Sequence, residues 1–360
     1  MIKHKNNNYS PDYIVHPGIT LSETLGAIGM SQAELSKRIS RPETAISEII
    51  NGSKSITPET AIQLERALGI AASFWNNLEK NYQELRANAH AKIALSEDFE
   101  LAKEYPYSEM AKRGWLQPAI EWEEKVENLL SFFGVSRLSS IEKTMPVAFR
   151  QHNGNSISQY AIQAWLRKGL VDSYNIQTEP FNKEKLDSSI SGFKSLSIEN
   201  PSVIIEKLTS SLAESGIALV FTQDLPKTYV CGAARWITSD RAMIQLSLRG
   251  SFADIMWFTL YHELGHLLLH SKKKHFVDLK SAEVSEEETE ANNFASEKLI
   301  PLEKFNHFKK TQRISRLSVT AFARSLGIHP GIVVGRLQHE NVIDHKTLND
   351  MRAKYRFVNE

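Results

Sequence analysis

The chain has 360 residues, with 43 Lys and Arg against 42 Asp and Glu, so no overall positive field marks it as a nucleic-acid binder. Its single cysteine, Cys231, excludes a disulfide framework and suits a reducing compartment; within Tyr-Val-Cys-Gly-Ala-Ala it reads most simply as a buried strand residue. The opening MIKHKNNNYS has no apolar core of signal length, and no run reaches about eighteen uninterrupted apolar residues, so we expect a soluble, cytoplasmic chain with no membrane partner.

Helix signals follow closely from His16 to Ala87. Ser31-Gln32-Ala33-Glu34 has the pattern of a capping box and opens a helix carrying Leu35 and Ile39. Ser40-Arg41-Pro42 is a short turn, and a second helix with Ile46, Ile49 and Ile50 runs to a stop at Asn51-Gly52. Thr57-Pro58 then starts another, with threonine as cap and proline in the first turn. This is helix-turn-helix spacing, although short helices so joined also occur as bundle fragments or as modules kept for protein contacts. If the module docks on DNA, the helix from Pro42 to Asn51 enters the major groove and presents Glu43, Thr44, Ser47 and Glu48 to the bases. Arg41 and Lys54 are the phosphate partners expected beside it. Met1 to Leu85 carries eight Lys and Arg against nine Asp and Glu, so affinity per subunit should be modest and salt-dependent, with a homodimer on a two-fold operator compensating.

The segments HPG, SQAELSKRIS, AISEIINGSKSITPETA and SFWNNLEKNY together resemble the DNA-binding domain of HigA-type antitoxins, within the Cro/repressor (XRE) class. The resemblance implies a double-stranded DNA operator as partner, and it adds Gln32 as a phosphate or base contact.

From Tyr82 to about Glu104 the chain is polar, rich in Ala, Glu and Lys, and reads as a connecting helix. Trp115, Trp122, Val126, Leu129, Phe133, Ile162 and Trp165 follow at helical spacing and predict a helical subdomain core. This region, with its Phe149-Arg150 pair and AIQAWLRKG, is similar to the link in fused helix-turn-helix/ImmA-IrrE regulators and carries no chemistry of its own. From Gly216 the period changes. Ile217–Phe221, 229–237 and 242–248 are β-branched and aromatic runs that predict a small sheet, one edge of which could hold an extended peptide. Arg235, Trp236 and Arg249 could orient that peptide or serve structure.

Tyr261-His262-Glu263-Leu264-Gly265-His266 carries the H-E-x-x-H pattern. Residues four apart share a helix face, so His262 and His266 can offer imidazole nitrogens to one metal, while Glu263 stands beside them as a general base. The flanking Trp257, Phe258, Leu260, Leu264 and Leu267 place this helix in a core, where buried histidines need a partner. A third ligand is required. His270 stands eight residues after His262, on a helix that Leu267, Leu268 and Leu269 are expected to continue, out of reach of the same ion. The histidine six residues after the second ligand in another peptidase class is absent here, where Lys272 stands. Glu286, Glu287, Glu288 and Glu290 remain; Glu290 is the expected ligand because Ala291, Phe294, Ala295 and Leu299 lie on or beside its face, and Glu286 or Glu287, one turn earlier, could do the same work.

The run FTLYHELGHLLLH followed by EANNFASEKLIP resembles the ImmA/IrrE family of metallopeptidases over about residues 216–301. The resemblance implies Zn2+ held by the two histidines and a glutamate of the second segment, with Glu263 catalytic. Beyond Pro301, Val319–Leu326 and Gly331–His339 look like a small helix-turn-helix that packs on the peptidase and is not a second DNA reader.

The expected fold is mainly α with a small β-sheet (α+β), in three parts: a helix-turn-helix domain at 1–90, a helical linker at 91–210 and a zincin-like peptidase domain at 211–360. The function it implies is a DNA-binding regulator fused to a zinc endopeptidase that cleaves a protein substrate, itself or a partner regulator. The rival is an antitoxin or transcription factor whose peptidase-like domain senses or binds a cognate toxin or other partner without proteolysis.

Overall fold

The computed structural model of the protein describes residues 15–144, 157–270, 276–279 and 285–357. The opening decapeptide and the pair Phe149-Arg150 lie outside the described residues. The chain is α+β and divides into two compact units, the first ending at Glu97 and the second beginning at Asp98.

The first unit is five helices: α1 Pro17–Ala27, α2 Gln32–Ile39, α3 Glu43–Ile50, α4 Pro58–Leu68 and α5 Ala72–Glu97. The starts of α1, α2 and α4 are set by side chains that accept otherwise orphaned backbone N–H groups. His16 Nδ1 accepts from Gly18 N at 2.9 Å, Ser31 Oγ from Glu34 N at 3.1 Å, and Thr57 Oγ1 from Thr60 N at 3.2 Å. The Glu34 carboxylate turns to Arg38 Nη2 at 2.5 Å, so the expected capping box is carried by Ser31. Leu21, Leu35, Ile46, Ile49, Leu64 and Trp75 close a core of their own, each side chain worth about 1.5–3 kcal/mol of burial. Gly18 lets α1 touch α3, since a Cβ there would stand 2.1 Å from the Ile49 carbonyl oxygen.

The second unit opens with α6 Phe99–Glu104, α7 Tyr107–Lys112, α8 Trp122–Phe133, α9 Ile141–Thr144 and α10 Gln159–Ser173, then α11 Lys183–Phe193 and α12 Pro201–Glu214. Three strands follow, β1 Ile217–Phe221, β2 Val230–Thr238 and β3 Arg241–Leu246, then α13 Ala253–Leu269, β4 Phe276–Leu279 and α14 Glu286–Leu299. The described chain ends with α15 Leu302–Thr311, α16 Arg316–Leu326 and α17 Pro330–His339. The sheet order is β1-β3-β2-β4, with β1 parallel to β3 and β2 antiparallel to both neighbours. β4 is an edge that the sequence reading did not contain.

Both faces of this sheet are covered, which is why its strands read as apolar runs without clean alternation. Ala218, Val220 and Met243 pack with Leu170 of α10, while Ile217, Leu219, Ala234, Ile244 and Leu246 join the main core with α13. Trp165 fixes α10 to the sheet, its Nε1 donating to Thr222 O at 3.1 Å, and Gln245 Nε2 returns a bond to Trp165 O at 2.7 Å. The helical stretch expected as a linker therefore belongs to the body of the second unit from Asp98 onward, and the connecting helix α5 belongs to the first. Among the described residues no single helix is long and apolar enough to cross a membrane. The tail pair α16 and α17 buries Val319, Ala323, Val333, Val334 and Leu337 in the main core, which matches its expected packing role.

Candidate metal centre

Helix α13 is apolar almost all round because it runs through the core between the sheet and α14. Tyr261 is fully buried and donates its hydroxyl to Ile190 O at 2.9 Å. On the same helix His262, Glu263 and His266 are 2%, 0% and 1% exposed, so three polar side chains lie where an unsatisfied group would be costly.

The two Nε2 atoms face each other at 2.9 Å, as the i, i+4 spacing requires. The third group is Glu288. Its Oε2 stands 3.2 Å from His262 Nε2 and its Oε1 3.4 Å from His266 Nε2. Burial pushes the Glu288 carboxyl up, but the hydrogen bonds of both imidazoles outweigh it and hold the group at about 2, so it is ionised throughout the neutral range. Burial, the largest influence, pushes His266 down, toward the neutral ring that a ligand must be.

Glu290, the residue expected here, points elsewhere: its Oε2 is 3.0 Å from His270 Nε2 and its side chain is 53% exposed. The reason is helical phase. Ala291, Ala295 and Leu299 are the buried stripe of α14. At about 100° per residue Glu288 falls roughly 20° from the centre of that stripe and Glu290 roughly 140° away. Adjacency to Ala291 had suggested the wrong carboxylate. Ser285 caps α14 by accepting from Glu288 N at 3.2 Å, which fixes the first turn that carries Glu288. Gly265 lets the two helices meet, since a Cβ on it would come within 3.2 Å of Ala291 Cα.

Two further residues, neither expected from sequence, complete the surroundings. Asn292 Oδ1 lies 3.1 Å from His262 Nδ1. His270 Nδ1 lies 3.0 Å from His266 Nδ1; α13 stops at Leu269 and His270 takes an extended conformation (φ −110, ψ 166). Glu263 and Thr259 both face Gly232 of β2; a Cβ on Gly232 would stand 2.7 Å from Glu263 Oε1. Of the residues expected to orient a peptide, Trp236 is buried edge-on to Phe181, and Arg249 is held by Tyr229, whose carbonyl accepts from Nη1 at 2.9 Å. Arg235 is half-buried on β2 beside Met243, away from the core that holds α13.

The donor set fits zinc. Ligands about 2.0–2.2 Å from a tetrahedral ion lie about 3.3 Å from one another, and the three separations here are 2.9, 3.2 and 3.4 Å. His262, His266 and Glu288 are also the one group of this kind among the described residues.

In the first unit, Glu43, Thr44 and Glu48 are exposed on α3 and Ser47 is half-buried, its Oγ accepting from Asn51 Nδ2 at 3.2 Å. Gln32 is the first residue of α2. The two expected phosphate partners already have acceptors within the unit: Arg41 Nε donates to Gln63 Oε1 at 2.5 Å with Glu59 at 3.2 Å, and Lys54 lies 3.4 Å from Glu48.

Residues 22–75 match the helix-turn-helix family model and residues 220–338 the IrrE N-terminal-like domain. The chain therefore belongs to the helix-turn-helix proteins of the XRE type and carries a domain of the ImmA/IrrE peptidase family. A 77-residue stretch is 36% identical to virulence-associated protein A of Dichelobacter nodosus, covering 21% of this chain and 76% of that one. Among solved structures, an addiction module antidote protein of the HigA family from Coxiella burnetii is 33% identical over 25% of this chain and 91% of its own, with a TM-score of 0.20. The Pseudomonas aeruginosa antitoxin HigA, solved with the higBA promoter, is 29% identical over 22% and 86%, with a TM-score of 0.21.

Proposed function

We propose that the protein is a cytoplasmic DNA-binding regulator of the antitoxin type whose second unit is a zinc-dependent endopeptidase acting on a regulatory protein. The observation that carries this reading is the convergence of His262, His266 and Glu288 within 3.4 Å, with Glu263 on the same buried helix. Three protein ligands are the count used by catalytic zinc sites, whereas structural sites close the fourth position with protein. When bound, zinc supplies Lewis-acid polarisation of a carbonyl and acidifies water toward neutral pH.

The chain's own residues supply the rest. Glu263, next to His262 on the same helix, would accept a proton from the attacking water and pass it to the departing amine. Gly232 leaves room for it, since a Cβ at that position would stand 2.7 Å from its Oε1. Glu288, ionised, brings one negative charge to balance a dication, and the two neutral imidazoles bring none. In the first unit, Thr44, Ser47, Glu43 and Glu48 read an operator, with Gln32, Lys54 and Arg41 toward phosphates and a homodimer on a two-fold site.

The test is metal analysis of the purified protein beside Glu263→Gln, with cleavage assayed against the chain itself and the neighbouring gene's product, operator present. Wild type holds about one zinc per chain and cuts one of them, while Glu263→Gln holds the metal and cuts neither. Equal cutting by both would remove the mechanism. A metal-loaded wild type that cuts neither would favour a sensing role for the domain.

A further inference from the structure

Glu290 and His270 form a continuous chain to His266. His270 Nε2 is 3.0 Å from Glu290 Oε2, and His270 Nδ1 is 3.0 Å from His266 Nδ1. The proton positions along this chain follow from the ligand role. If His266 Nε2 gives its lone pair to a metal, the ring proton sits on Nδ1 and must be donated. The nearby acceptor is His270 Nδ1, which requires the His270 proton on Nε2, and that proton is donated to the Glu290 carboxylate.

We propose that His270 and Glu290 are positioning residues that act through His266: they fix its tautomer and ring orientation and raise its basicity toward the metal. The proposal rests on the reading of His262, His266 and Glu288 as metal ligands. His262 has a simpler support, the Asn292 amide oxygen at 3.1 Å, which is neutral. The two ligating imidazoles are therefore unequal. His266 is backed, at one remove, by a carboxylate, and His262 by an amide. This gives the exposed Glu290 a role that exposure alone would not suggest, and it places His270, four residues after His266, where its ring can reach that ligand but not the ion. The two rings lie with centroids 5.0 Å apart at the end of α13.

The experiment uses the full chain and measures Zn2+ affinity by chelator competition and the visible spectrum of the Co2+-loaded protein, for His270→Ala, Glu290→Ala, the double variant and His270→Gln. Outer partners of metal-bound histidines typically contribute about 10–100-fold to affinity. His270→Ala is expected to weaken Zn2+ binding by that factor and to change the Co2+ spectrum, and Glu290→Ala to do the same to a smaller extent. The double variant should be no weaker than His270→Ala, because Glu290 acts only through that ring. His270→Gln, which keeps an acceptor toward His266 and a donor toward Glu290, should recover part of the loss. Far-ultraviolet circular dichroism unchanged across the series separates positioning from unfolding, and the surface variant Glu290→Ala keeps the test open if His270→Ala misfolds. Affinity and spectrum unchanged in His270→Ala, while His266→Ala has lost the metal, would overturn the proposal and leave the metal site standing. Losses that add in the double variant would also overturn it, since they would mean independent effects. Metal retained by His266→Ala would instead overturn the site itself.

Discussion

Arg352 grips Asp254 with both arms of its guanidinium, Nε to Oδ1 at 3.0 Å and Nη2 to Oδ2 at 2.7 Å, across 98 residues of chain. Asp254 stands in the first turn of α13, where a carboxylate also meets the positive end of the helix dipole. Arg352 lies over the Phe252 ring and donates to Gln338 Oε1 at 3.0 Å, so the pair ties the segment after α17 to the start of the helix that carries His262 and His266.

Both partners are nearly buried, at 11% and 8% side-chain exposure. Arg352→Ala leaves a buried carboxylate without its counter-charge and is expected to destabilise the second unit by about 3–5 kcal/mol, whereas Arg352→Leu with Asp254→Leu should recover much of that loss. Chemical denaturation of the three proteins checks this. A double variant as unstable as Arg352→Ala would show that the pair's charge is not the issue.

The ligand assignment separates two carboxylates two residues apart. Glu288→Ala should lose most of the bound zinc, Glu290→Ala should weaken it by about tenfold and the exposed Glu286→Ala should leave it unchanged. Zinc competition on the three variants ranks them, and a larger loss in Glu290→Ala than in Glu288→Ala would reverse the assignment.

His16 and His329 open α1 and α17 in the same way, each followed by Pro and Gly, with Nδ1 accepting from the glycine N–H at 2.9 and 3.1 Å. Burial, the first influence on each, pushes both below the ordinary histidine range. The unfolded chain therefore binds more protons than the folded one below about pH 6.5, and stability must fall as pH drops from there toward the lowered folded values. Hydrogen exchange at Gly18 and Gly331 should quicken over that window. His16→Asn, which keeps a capping oxygen and does not titrate, should flatten the change at Gly18.

In the first unit, Thr44→Ala with Ser47→Ala is expected to relax operator choice, while Lys54→Ala weakens all DNA binding and lowers the salt slope by about one. Arg41→Ala should act differently. It removes the contacts to Gln63 and Glu59 that tie the α2–α3 turn to α4, so it should lower stability as well as affinity. Binding isotherms at several salt concentrations, beside melting of each variant, distinguish the two. Glu263→Gln should bind DNA as wild type does.

Much of this was legible locally. The caps at Ser31 and Thr57, the three strands from Ile217 onward and the histidine pair on α13 are each set by patterns within a few residues. What was missed depends on phase or on distant partners. Glu288 and Glu290 differ by two positions, which on a helix is most of a half-turn, and only the buried stripe of α14 decides between them. Strand β4 is four residues whose pairing is with β2, far back in sequence. The end of α13 at Leu269 runs against its apolar continuation, and nothing in Leu267–Leu269 announces it. The second unit includes α10 and α12 because they cover β-strands, which the helical spacing of their own residues does not reveal.

The grip of Arg352 on Asp254 also orders events on the ribosome. The first unit has its whole core in hand once Trp75 has emerged and is complete at Glu97. The second cannot close its helix start until Arg352 has been made, 255 residues after Glu97 (352 − 97), an interval on the order of ten to fifty seconds at about 5–20 residues per second. A nascent chain thus carries a finished helix-turn-helix while its second unit remains unassembled, and synthesis cut short anywhere in that interval releases the one without the other.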